Sequence, residues 1–323
     1  MVLVLDEESV SKLVDVTSII SSVENALKEY SEKRAIMPAR YQLDRPESTG
    51  TIRVMLAASP ASQAAGLKVL TGTAGKRAPD RTYFVIMLFD QDGSLLSILS
   101  ANRLTQLRTG AASAVATRYL ARRDSTTLGL IGAGVQGFGQ VEAISHVMRI
   151  ERGLVYDVSM QQTKKIQKIA ADRLGLSLEL AQSANEVAES SDVLVTATTS
   201  DHPLFNGSIV RPGTHINAVG SNMPSRVELD TDVLRKSRVY VDSLEQATKE
   251  SGDFINAIAK GAYKPADIVG EIGEVIAGKK PGRTDSRDIT VFKSVGIAVE
   301  DLAAAQTIYR LALREKVGVE IKL

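Results

Sequence analysis

The sequence predicts an α/β protein in which an α+β domain precedes a doubly wound parallel sheet. Three observations support this: short strand-like runs fill residues 40–100, strand and helix patterns alternate after residue 122, and an amphipathic helix closes the chain. Alternating strands and helices form parallel sheets because each crossover between parallel strands needs a long connection, usually a helix. We therefore predict a first domain of residues 1–122, completed by residues 300–323, and a second domain of residues 123–299.

The composition excludes several classes of protein. The chain has 323 residues, with 39 basic and 38 acidic side chains, three histidines and no cysteine. Disulfides, thiolate nucleophiles and cysteine-bound metals are excluded, and the dispersed histidines argue against any metal site. The balanced charge gives no field that would recruit nucleic acid or a membrane surface, and no apolar run is long enough to span a bilayer. With no signal peptide visible, we expect a cytoplasmic protein with small-molecule partners.

The first domain begins with helix and continues with strands. We expect the first 35 residues to be largely helical, because apolar residues recur at helical spacing from Val16 to Arg34, before Pro38. A long helix over Asn102–Ala121 leads out of the domain. The turn Asp90–Gly93 predicts a hairpin, since Asp and Gly tolerate the backbone angles that a tight turn demands. The predicted strands are Thr51–Leu56, Ala65–Leu70, Tyr83–Phe89 and Leu95–Leu99.

The second domain alternates strands and helices. Its predicted strands are Thr127–Ile131, Gly153–Asp157, Ser177–Leu180, Asp192–Ala197, His215–Val219, Arg238–Val241 and Asp288–Phe292. A helix of about four turns should follow the first of them. The last helix, Glu300–Glu315, has no predicted strand after it, so we expect it to return and pack on the first domain.

A glycine-rich turn connects the first strand of the second domain to its helix. The segment Gly132–Gly137 has the sequence GAGVQG, which in this context is a dinucleotide-binding fingerprint. Gly132 allows the sharp turn, Gly134 lets a pyrophosphate approach the backbone, and Gly137 lets the helix pack closely on the strand. Backbone N–H groups at the helix start, at Val135 and Gln136, then hold the phosphates. The sequence therefore predicts a Rossmann domain; the alternative is a structural turn in another α/β domain.

An acidic residue ends the second predicted strand of this domain. Asp157 lies twenty residues beyond Gly137, where a carboxylate accepts hydrogen bonds from the adenosine ribose. No Arg follows within three residues, and the carboxylate would repel a 2′-phosphate, so we predict NAD as the cofactor. Lys164 and Lys165 keep NADP possible, although these lysines are most simply part of a solvated surface.

Five segments together resemble the ornithine cyclodeaminase/μ-crystallin family. They are Leu104–Ala111, Gly129–Gly137, Thr214–Gly220, Gly270–Glu274 and Phe292–Ala298, in order over nearly the whole chain. The resemblance implies a homodimer in which a substrate-binding and dimerisation domain, formed by N-terminal residues and the last helix, is joined to a Rossmann domain. Known members include ornithine cyclodeaminase, archaeal alanine dehydrogenase, ketimine and pyrroline-2-carboxylate reductases and the lens protein μ-crystallin, all of which use a nicotinamide dinucleotide.

The resemblance also implies which cations hold a substrate carboxylate. The matching positions are Lys68 and Arg108, with Arg40 and Arg53 as further candidates. A guanidinium grips a carboxylate through two hydrogen bonds, and a lysine near the reacting carbon also transfers protons. We expect all four to bind substrate and Lys68 and Arg108 to be catalytic. The alternative is that these cations are solvated or ion-paired.

Asn222 departs from the pattern of the family's cyclodeaminases. They have an aspartate at this position, after the fifth predicted strand, and it takes part in ammonia loss and ring closure. We still expect Asn222 in the catalytic site, but an amide cannot act as a base, so hydride transfer to or from an imino acid is favoured. Lys293 also replaces an aspartate typical of cyclodeaminases; it is interpreted as a cofactor-edge lysine or as a surface lysine.

Other polar residues are candidate contacts to the dinucleotide. They are Thr109, Thr198, Ser221, Lys293 and Ser294, although Ser and Thr at strand ends also occur simply as turn residues. His215 has the chemistry of a general base, but its place in a buried strand favours a structural role.

The sequence thus predicts an NAD(P)-dependent oxidoreductase acting on a small 2-imino or amino acid. A cyclic ketimine or pyrroline-2-carboxylate reductase and an alanine dehydrogenase fit equally. The alternatives are an ornithine cyclodeaminase and a dinucleotide-binding protein without turnover. Lys68 and Arg108 weigh against the second alternative, because a mere carrier needs no carboxylate clamp.

Overall fold

The computed structural model describes residues 1–44, 50–60, 62–73 and 81–322, apart from the side chains of Asp44, Thr73 and Arg81. The chain divides into two compact units: Met1–Arg108 with Ile297–Leu323, and Thr109–Gly296. This division lies inside the helix that follows Ala101, whereas we placed the predicted boundary after that helix. The functional roles assigned to the two domains stay predictions.

Fifteen strands and eleven α-helices form in the described residues. In chain order they are β1 (Val2–Leu5), α1 (Glu7–Leu13), α2 (Val16–Ser31), β2 (Tyr41–Asp44), β3 (Gly50–Ser59), β4 (Ala64–Thr73), β5 (Arg81–Phe89), β6 (Leu95–Ser100), α3 (Asn102–Leu120), β7 (Thr127–Ile131), α4 (Val135–Ile144), β8 (Arg152–Tyr156), α5 (Met160–Leu174), β9 (Leu178–Leu180), α6 (Ala184–Ser190), β10 (Val193–Thr196), β11 (His215–Ala218), α7 (Thr231–Lys236), β12 (Ser237–Val241), α8 (Leu244–Glu250), α9 (Gly252–Ala259), β13 (Gly270–Glu271), α10 (Ile272–Ile276), β14 (Ile289–Lys293), α11 (Ala298–Glu315) and β15 (Val319–Ile321).

The first unit is built on a seven-stranded mixed sheet in the order β15-β1-β6-β5-β4-β3-β2. β1 and β6 are parallel, and the other neighbouring strands are antiparallel. The four predicted strands of this region are confirmed as parts of β3 to β6. The predicted hairpin turn is confirmed too: Gly93 has a φ of +85°, and its N–H donates to the carbonyl of Asp90. α11 packs on β3, β4 and β5 beside α2.

Three strands of this sheet are absent from our prediction. β1 was included in a largely helical segment, and β2 was missed. β1 is a strand because it pairs with both β6 and β15, and Ser97 Oγ donates to the Leu3 carbonyl at 2.6 Å. The expectation that no strand follows the last helix is wrong. Lys316 and Gly318, with φ of +55° and +110°, reverse the chain so that β15 runs antiparallel to β1.

The second unit is an eight-stranded parallel sheet in the order β13-β12-β14-β11-β10-β7-β8-β9. Its β9-β8-β7-β10-β11 part has the strand order of a Rossmann sheet, and β14 is inserted between β11 and β12. The doubly wound fold and all seven predicted strands are confirmed; the two-residue β13 was not predicted. The strand order reverses between β7 and β10, which is where ligands bind at the carboxyl ends of such sheets.

The helix after the glycine-rich turn is shorter than the predicted four turns. α4 ends at Ile144. Ser145 Oγ donates to the Glu142 carbonyl at 2.8 Å, and Nδ1 of His146 lies 2.9 Å from the same oxygen. In a continuing helix the Glu142 carbonyl would accept the backbone N–H of His146, but here it is bound by these two side chains instead.

Among the described residues, no helix is both long enough and apolar enough to cross a bilayer. The cytoplasmic location stays a prediction.

Candidate active site

The glycine-rich turn of the second unit has the backbone shape that its sequence predicts. Gly132 has a φ of +102°, and a Cβ placed on it would lie 2.5 Å from the carbonyl oxygen of Ala197. A Cβ on Gly137 would lie 2.1 Å from the oxygen of Gly132, so α4 packs on the turn only without a side chain there. A Cβ on Gly134 would meet nothing within 4 Å. The turn is therefore a closed cradle with one open position, which suits a pyrophosphate.

Asp157 fixes this turn from the neighbouring strand. Its Oδ2 accepts a hydrogen bond from the N–H of Ala133 at 2.7 Å, and its Oδ1 accepts one from Ser159 N–H at 2.7 Å. The carboxylate thus ties the end of β8 to the turn after β7. A contact between Asp157 and an adenosine ribose stays a prediction.

A cavity of about 630 Å³ opens beside the turn at the carboxyl ends of β7, β8 and β10. The residues that line it include Gly132, Gly134, Asp157, Asn185 and Thr198. Its volume falls within the roughly 300–1,000 Å³ of small-molecule and cofactor sites. Val135, at the start of α4, is 71 % exposed, so the first turn of this helix is accessible. The residues of this unit fit a dinucleotide.

A buried glutamate that we did not predict joins two strand ends at this edge. Oε1 of Glu228 accepts hydrogen bonds from N–H and Oγ1 of Thr198 at 2.7 and 3.0 Å. Oε2 accepts from Thr196 Oγ1 and from the N–H of Gly220, both at 2.8 Å. Burial raises the pKa of Glu228, and the charge of Lys293 opposes that rise. The only sequence signal was an acidic residue between two apolar residues, Val227 and Leu229.

Lys293 is completely buried, so its interpretation as a surface lysine is wrong. Its Nζ lies 3.1 Å from Oδ2 of Asp253. Oδ1 of the same aspartate accepts hydrogen bonds from the N–H groups of Glu228 and Leu229 at 2.7 and 3.0 Å. The lysine therefore offsets the charge of the carboxylate that binds the backbone of Glu228 and Leu229. A contact between Lys293 and the cofactor stays a prediction.

The other predicted dinucleotide contacts are mostly engaged within the unit. The hydroxyl of Ser221 donates to the Arg226 carbonyl at 2.6 Å, and that of Ser294 donates to Oδ2 of Asp242 at 2.8 Å. Thr109 is buried in α3. Asn222, which we predicted as a catalytic residue, is partly exposed, and its side-chain amide makes no hydrogen bond to any residue that the structure describes. Of these residues, Asn222 is the one with a side chain available to a ligand.

His215 lies inside β11, as expected for a structural residue. Its Nδ1 lies 3.0 Å from Thr290 Oγ1, and its Nε2 lies 3.2 Å from Oδ1 of Asn217. Burial lowers the pKa of His215 to about 3, so the ring is neutral at physiological pH and is a weak base. The geometry favours the structural interpretation.

In the first unit, Lys68 and Arg108 meet at one carboxylate. Lys68 Nζ and Arg108 Nε both lie 2.8 Å from Oδ1 of Asp301, and Arg108 Nη1 lies 2.7 Å from Glu300 Oε2. All four side chains are at most 7 % exposed. We predicted the two cations but missed the two acids. Their signal was a pair of adjacent carboxylates at the start of an otherwise apolar helix, α11.

Burial and charge act in opposite directions in this cluster. Burial, helped by the charge of Arg108, lowers the pKa of Lys68 to about 8 against the attraction of Asp301. Burial alone would raise the pKa of Asp301, but the charges of Arg108 and Lys68 outweigh it and lower that pKa. The same attraction, from Asp301 and Glu300, raises the pKa of Arg108 despite burial. The cluster has two cations and two anions, so it is close to neutral.

Arg53 and Arg40 lie outside this cluster. Arg53 pairs with Leu70 in the β3–β4 register, which places it on the face of the sheet that carries Lys68. Its Nε donates to Gln42 Oε1 at 2.6 Å, and its side chain is partly exposed. Arg40 precedes β2 and is partly buried. Substrate binding by either arginine stays a prediction.

The model of the ornithine cyclodeaminase/mu-crystallin family matches residues 2–316 of the chain. The chain is similar to an alanine dehydrogenase of Archaeoglobus fulgidus, with 38 % identity over 99 % of this chain and 98 % of that protein.

Two solved structures are similar over the whole fold. One is the Δ1-pyrroline-2-carboxylate reductase of Thermococcus litoralis in complex with NADH and L-proline, with a TM-score of 0.94 and 38 % identity over 99 % of this chain and 100 % of that one. The other is an archaeal alanine dehydrogenase dimer with bound NAD, with a TM-score of 0.93 and 38 % identity over 99 % of each chain.

Replacing Glu228 with Gln should lower the free energy of unfolding by about 1–3 kcal/mol. A backbone N–H group faces each oxygen of the carboxylate, that of Thr198 on Oε1 and that of Gly220 on Oε2. An amide presents only one oxygen, so its NH2 group must face one of these N–H donors. Urea unfolding measures the change. Glu189→Gln, at an exposed position of α6, is the matched control and should change stability by less than about 0.5 kcal/mol. Equal loss in both variants would contradict the role of Glu228.

Proposed function

The chain belongs to the ornithine cyclodeaminase/mu-crystallin family, and on this premise we propose that it is an NAD-dependent oxidoreductase that acts on a small 2-imino or 2-amino acid. The observation that carries the proposal is the buried pair of Lys68 and Arg108 in the first unit. Both cations are ion-paired with Asp301 or Glu300, and each keeps N–H donors that a substrate carboxylate can accept. The similar proteins named as reductase and dehydrogenase support the same class of reaction.

The second unit provides the residues that would hold NAD. The backbone of Gly132–Gly137 and the start of α4 take the pyrophosphate, and Asp157 disfavours a 2′-phosphate on the ribose. NAD over NADP is supported further by the NADH and NAD complexes of the similar structures. When bound, the nicotinamide ring supplies the redox chemistry.

The first unit provides the residues that would hold the substrate. Within the described chain, Arg108 uses Nε and Nη1 for its ion pairs, which leaves Nη2 to donate to a substrate carboxylate. Lys68 uses one of its three donors on Asp301, so the remaining ones can reach the same ligand. With a pKa of about 8, Lys68 is also suited to pass a proton near neutral pH. Asp301 orients both cations before the substrate arrives.

Asn222 distinguishes this proposal from a cyclodeaminase. Ammonia loss and ring closure need a group that accepts a proton, and an amide does not accept one. Asn222 instead offers a hydrogen-bond donor and acceptor to a bound ligand. The proposed reaction is therefore the reduction of an imine, or the reverse oxidation of an amine.

Turnover of a defined panel tests the proposal. Pyrroline-2-carboxylate, piperideine-2-carboxylate and pyruvate with ammonia are each mixed with NADH, and the absorbance of reduced nicotinamide is followed. We expect oxidation of NADH with at least one of them. Arg108→Lys should lower kcat/KM by about tenfold or more, because lysine cannot replace the planar two-point contact. Arg149→Lys, at an exposed site in the second unit, is the control. NADH binding without turnover on any substrate would indicate a carrier instead.

The affinity for the imino acid should fall as pH rises through about 8. The pKa of Lys68 is lowered from its usual 10.5 to about 8, so the ammonium form prevails below that pH and the neutral form above it. KM for the imino acid, measured from pH 6.5 to 10, should therefore rise at the alkaline end. Lys68→Met should weaken binding at all pH values and lose this rise. A wild-type KM that stays constant to pH 10 would refute the role of Lys68.

We also propose that the chain forms a homodimer through the open face of the first sheet. Strand register places apolar residues on the face opposite Lys68 and α11: Tyr41, Leu43, Ile52, Val54, Val69, Tyr83 and Val85. Tyr41, Leu43 and Tyr83 are 65, 62 and 54 % exposed. Large contiguous apolar surfaces of this kind are typical of protein interfaces. The similar archaeal alanine dehydrogenase is described as a dimer.

Val69→Glu should convert the dimer to a monomer. Val69 lies on β4, in the middle of the apolar face, where a buried carboxylate without a partner would be strongly unfavourable in an interface. Light scattering after size exclusion gives the mass. Leu313→Glu, at an exposed site on α11, should leave the dimer intact. The proposed interface would be overturned if the wild type were a monomer, or if Val69→Glu dimerised as strongly as the wild type.

A further inference from the structure

We propose that the second unit has an additional binding site for a multiply charged oxyanion of the phosphate class, formed by arginines at the amino edge of its sheet. A cavity of about 810 Å³ lies there, lined by Arg118, Arg122, Arg123, Arg283 and Arg287 together with one carboxylate, that of Asp124. None of these residues belongs to the glycine cradle or to the hydrogen-bonded group of Glu228, Thr196, Thr198 and Gly220. The proposal does not depend on the function proposed above.

The position of this cavity separates it from the dinucleotide site. Arg122 and Arg123 lie in the connection that leads into β7, and Arg283 and Arg287 lie in the connection that leads into β14. Parallel strands all begin at one edge of the sheet and end at the other. The glycine cradle follows the end of β7, so the two sites are at opposite edges of the same sheet.

Two of the arginines are fixed by hydrogen bonds to the protein. Arg122 Nη2 donates to Oδ1 of Asp192 at 3.0 Å. Arg283 Nε donates to the Leu120 carbonyl at 2.8 Å, and its Nη2 donates to Thr290 Oγ1 at 3.0 Å. Burial lowers the pKa of Arg283, Asp288 opposes this, and the nearby charge of Arg122 lowers it further. The two guanidinium groups are therefore held close enough to repel each other.

Two further arginines at this cavity have side chains without a partner among the described residues. Arg123 and Arg287 are exposed, and neither side chain has a hydrogen bond or an ion pair with any residue in the described ranges. Exposed arginines are commonly just solvated, but here they line the same concave surface as two fixed guanidinium groups. Asp124 pairs with Arg122 at 3.2 Å, and the arginines outnumber it at this surface. A concave surface with an excess of one charge concentrates its potential and attracts the opposite ion.

The chemistry of the ligand follows from the side chains. Guanidinium groups donate two parallel hydrogen bonds to the oxygens of a phosphate, and several of them together neutralise more than one negative charge. Asp124 and Asp192 pair with Arg122, and Asp288 acts on Arg283, so the excess positive charge comes mainly from Arg123 and Arg287. A dianion balances two such charges, whereas a monoanion balances one. The volume of the cavity accommodates a pyrophosphate or a phosphorylated small molecule.

Calorimetric titration of pyrophosphate into the NADH-saturated protein tests the proposal, because the bound cofactor keeps pyrophosphate out of the glycine cradle. We expect one site with a Kd below about 1 mM. The double variant Arg123→Gln with Arg287→Gln should weaken pyrophosphate binding by about tenfold or more while leaving NADH binding unchanged. Arg149→Gln with Arg235→Gln removes the same charge from two exposed positions elsewhere in the second unit and should have no effect.

Two results would overturn the proposal: no binding of pyrophosphate by the wild type, or an equal loss of binding in both double variants, which would assign the effect to net charge. Titration with ATP identifies the source of the phosphate groups. Tighter binding of ATP than of pyrophosphate would support a nucleotide ligand, and equal or weaker binding would support a free oxyanion. If NADH does not bind, the function proposed above fails. Titration of pyrophosphate into the cofactor-free wild type and the two double variants then still tests the proposed oxyanion site.

Discussion

The first unit depends on the carboxylate of Asp301, which accepts contacts from both Lys68 and Arg108. Removing charges from water costs several kcal/mol for each ion, so two buried cations persist only beside anions at short distance. Asp301 and Glu300 come from the last helix, whereas Lys68 comes from β4. The ion pairs therefore attach the C-terminal segment to the N-terminal sheet. The same contacts present the remaining donors of the two cations to a ligand.

The second unit also buries charged groups, and here the carboxylates are stabilised by backbone N–H groups. Glu228, Asp253 and Asp242 are buried. Glu228 and Asp242 accept hydrogen bonds from N–H groups just beyond β11 and β14, and Asp253 accepts those of Glu228 and Leu229. These bonds satisfy loop amides that would otherwise be buried without partners. They also fix the loops around the predicted cofactor site in advance, which reduces the ordering cost of binding. Lys293 is part of this support through Asp253.

Local patterns predicted what depends on local interactions. The seven strands of the second sheet, the Asp90–Gly93 turn and the glycine cradle follow from apolar runs and from glycines at fixed spacing. β1 and β15 were missed because each is a short segment that becomes a strand only by pairing with its distant partner. Asp301 was missed for the same reason: it meets Lys68 across 233 residues of sequence. Nothing in a single sequence marks such a pairing.

The charge balance of the two units bears on which ligands they select. Among the described residues that line the cavity beside the glycine cradle there is no lysine or arginine, so an anion there would be held by backbone N–H groups and the start of a helix. The cluster of Lys68, Arg108, Asp301 and Glu300 is nearly neutral, so it has little excess charge with which to attract a strongly anionic molecule. Recognition must then come from the direction of its unused N–H donors. Such a site suits one carboxylate on a small molecule whose amino or imino group offsets its charge, which is the class of substrate proposed.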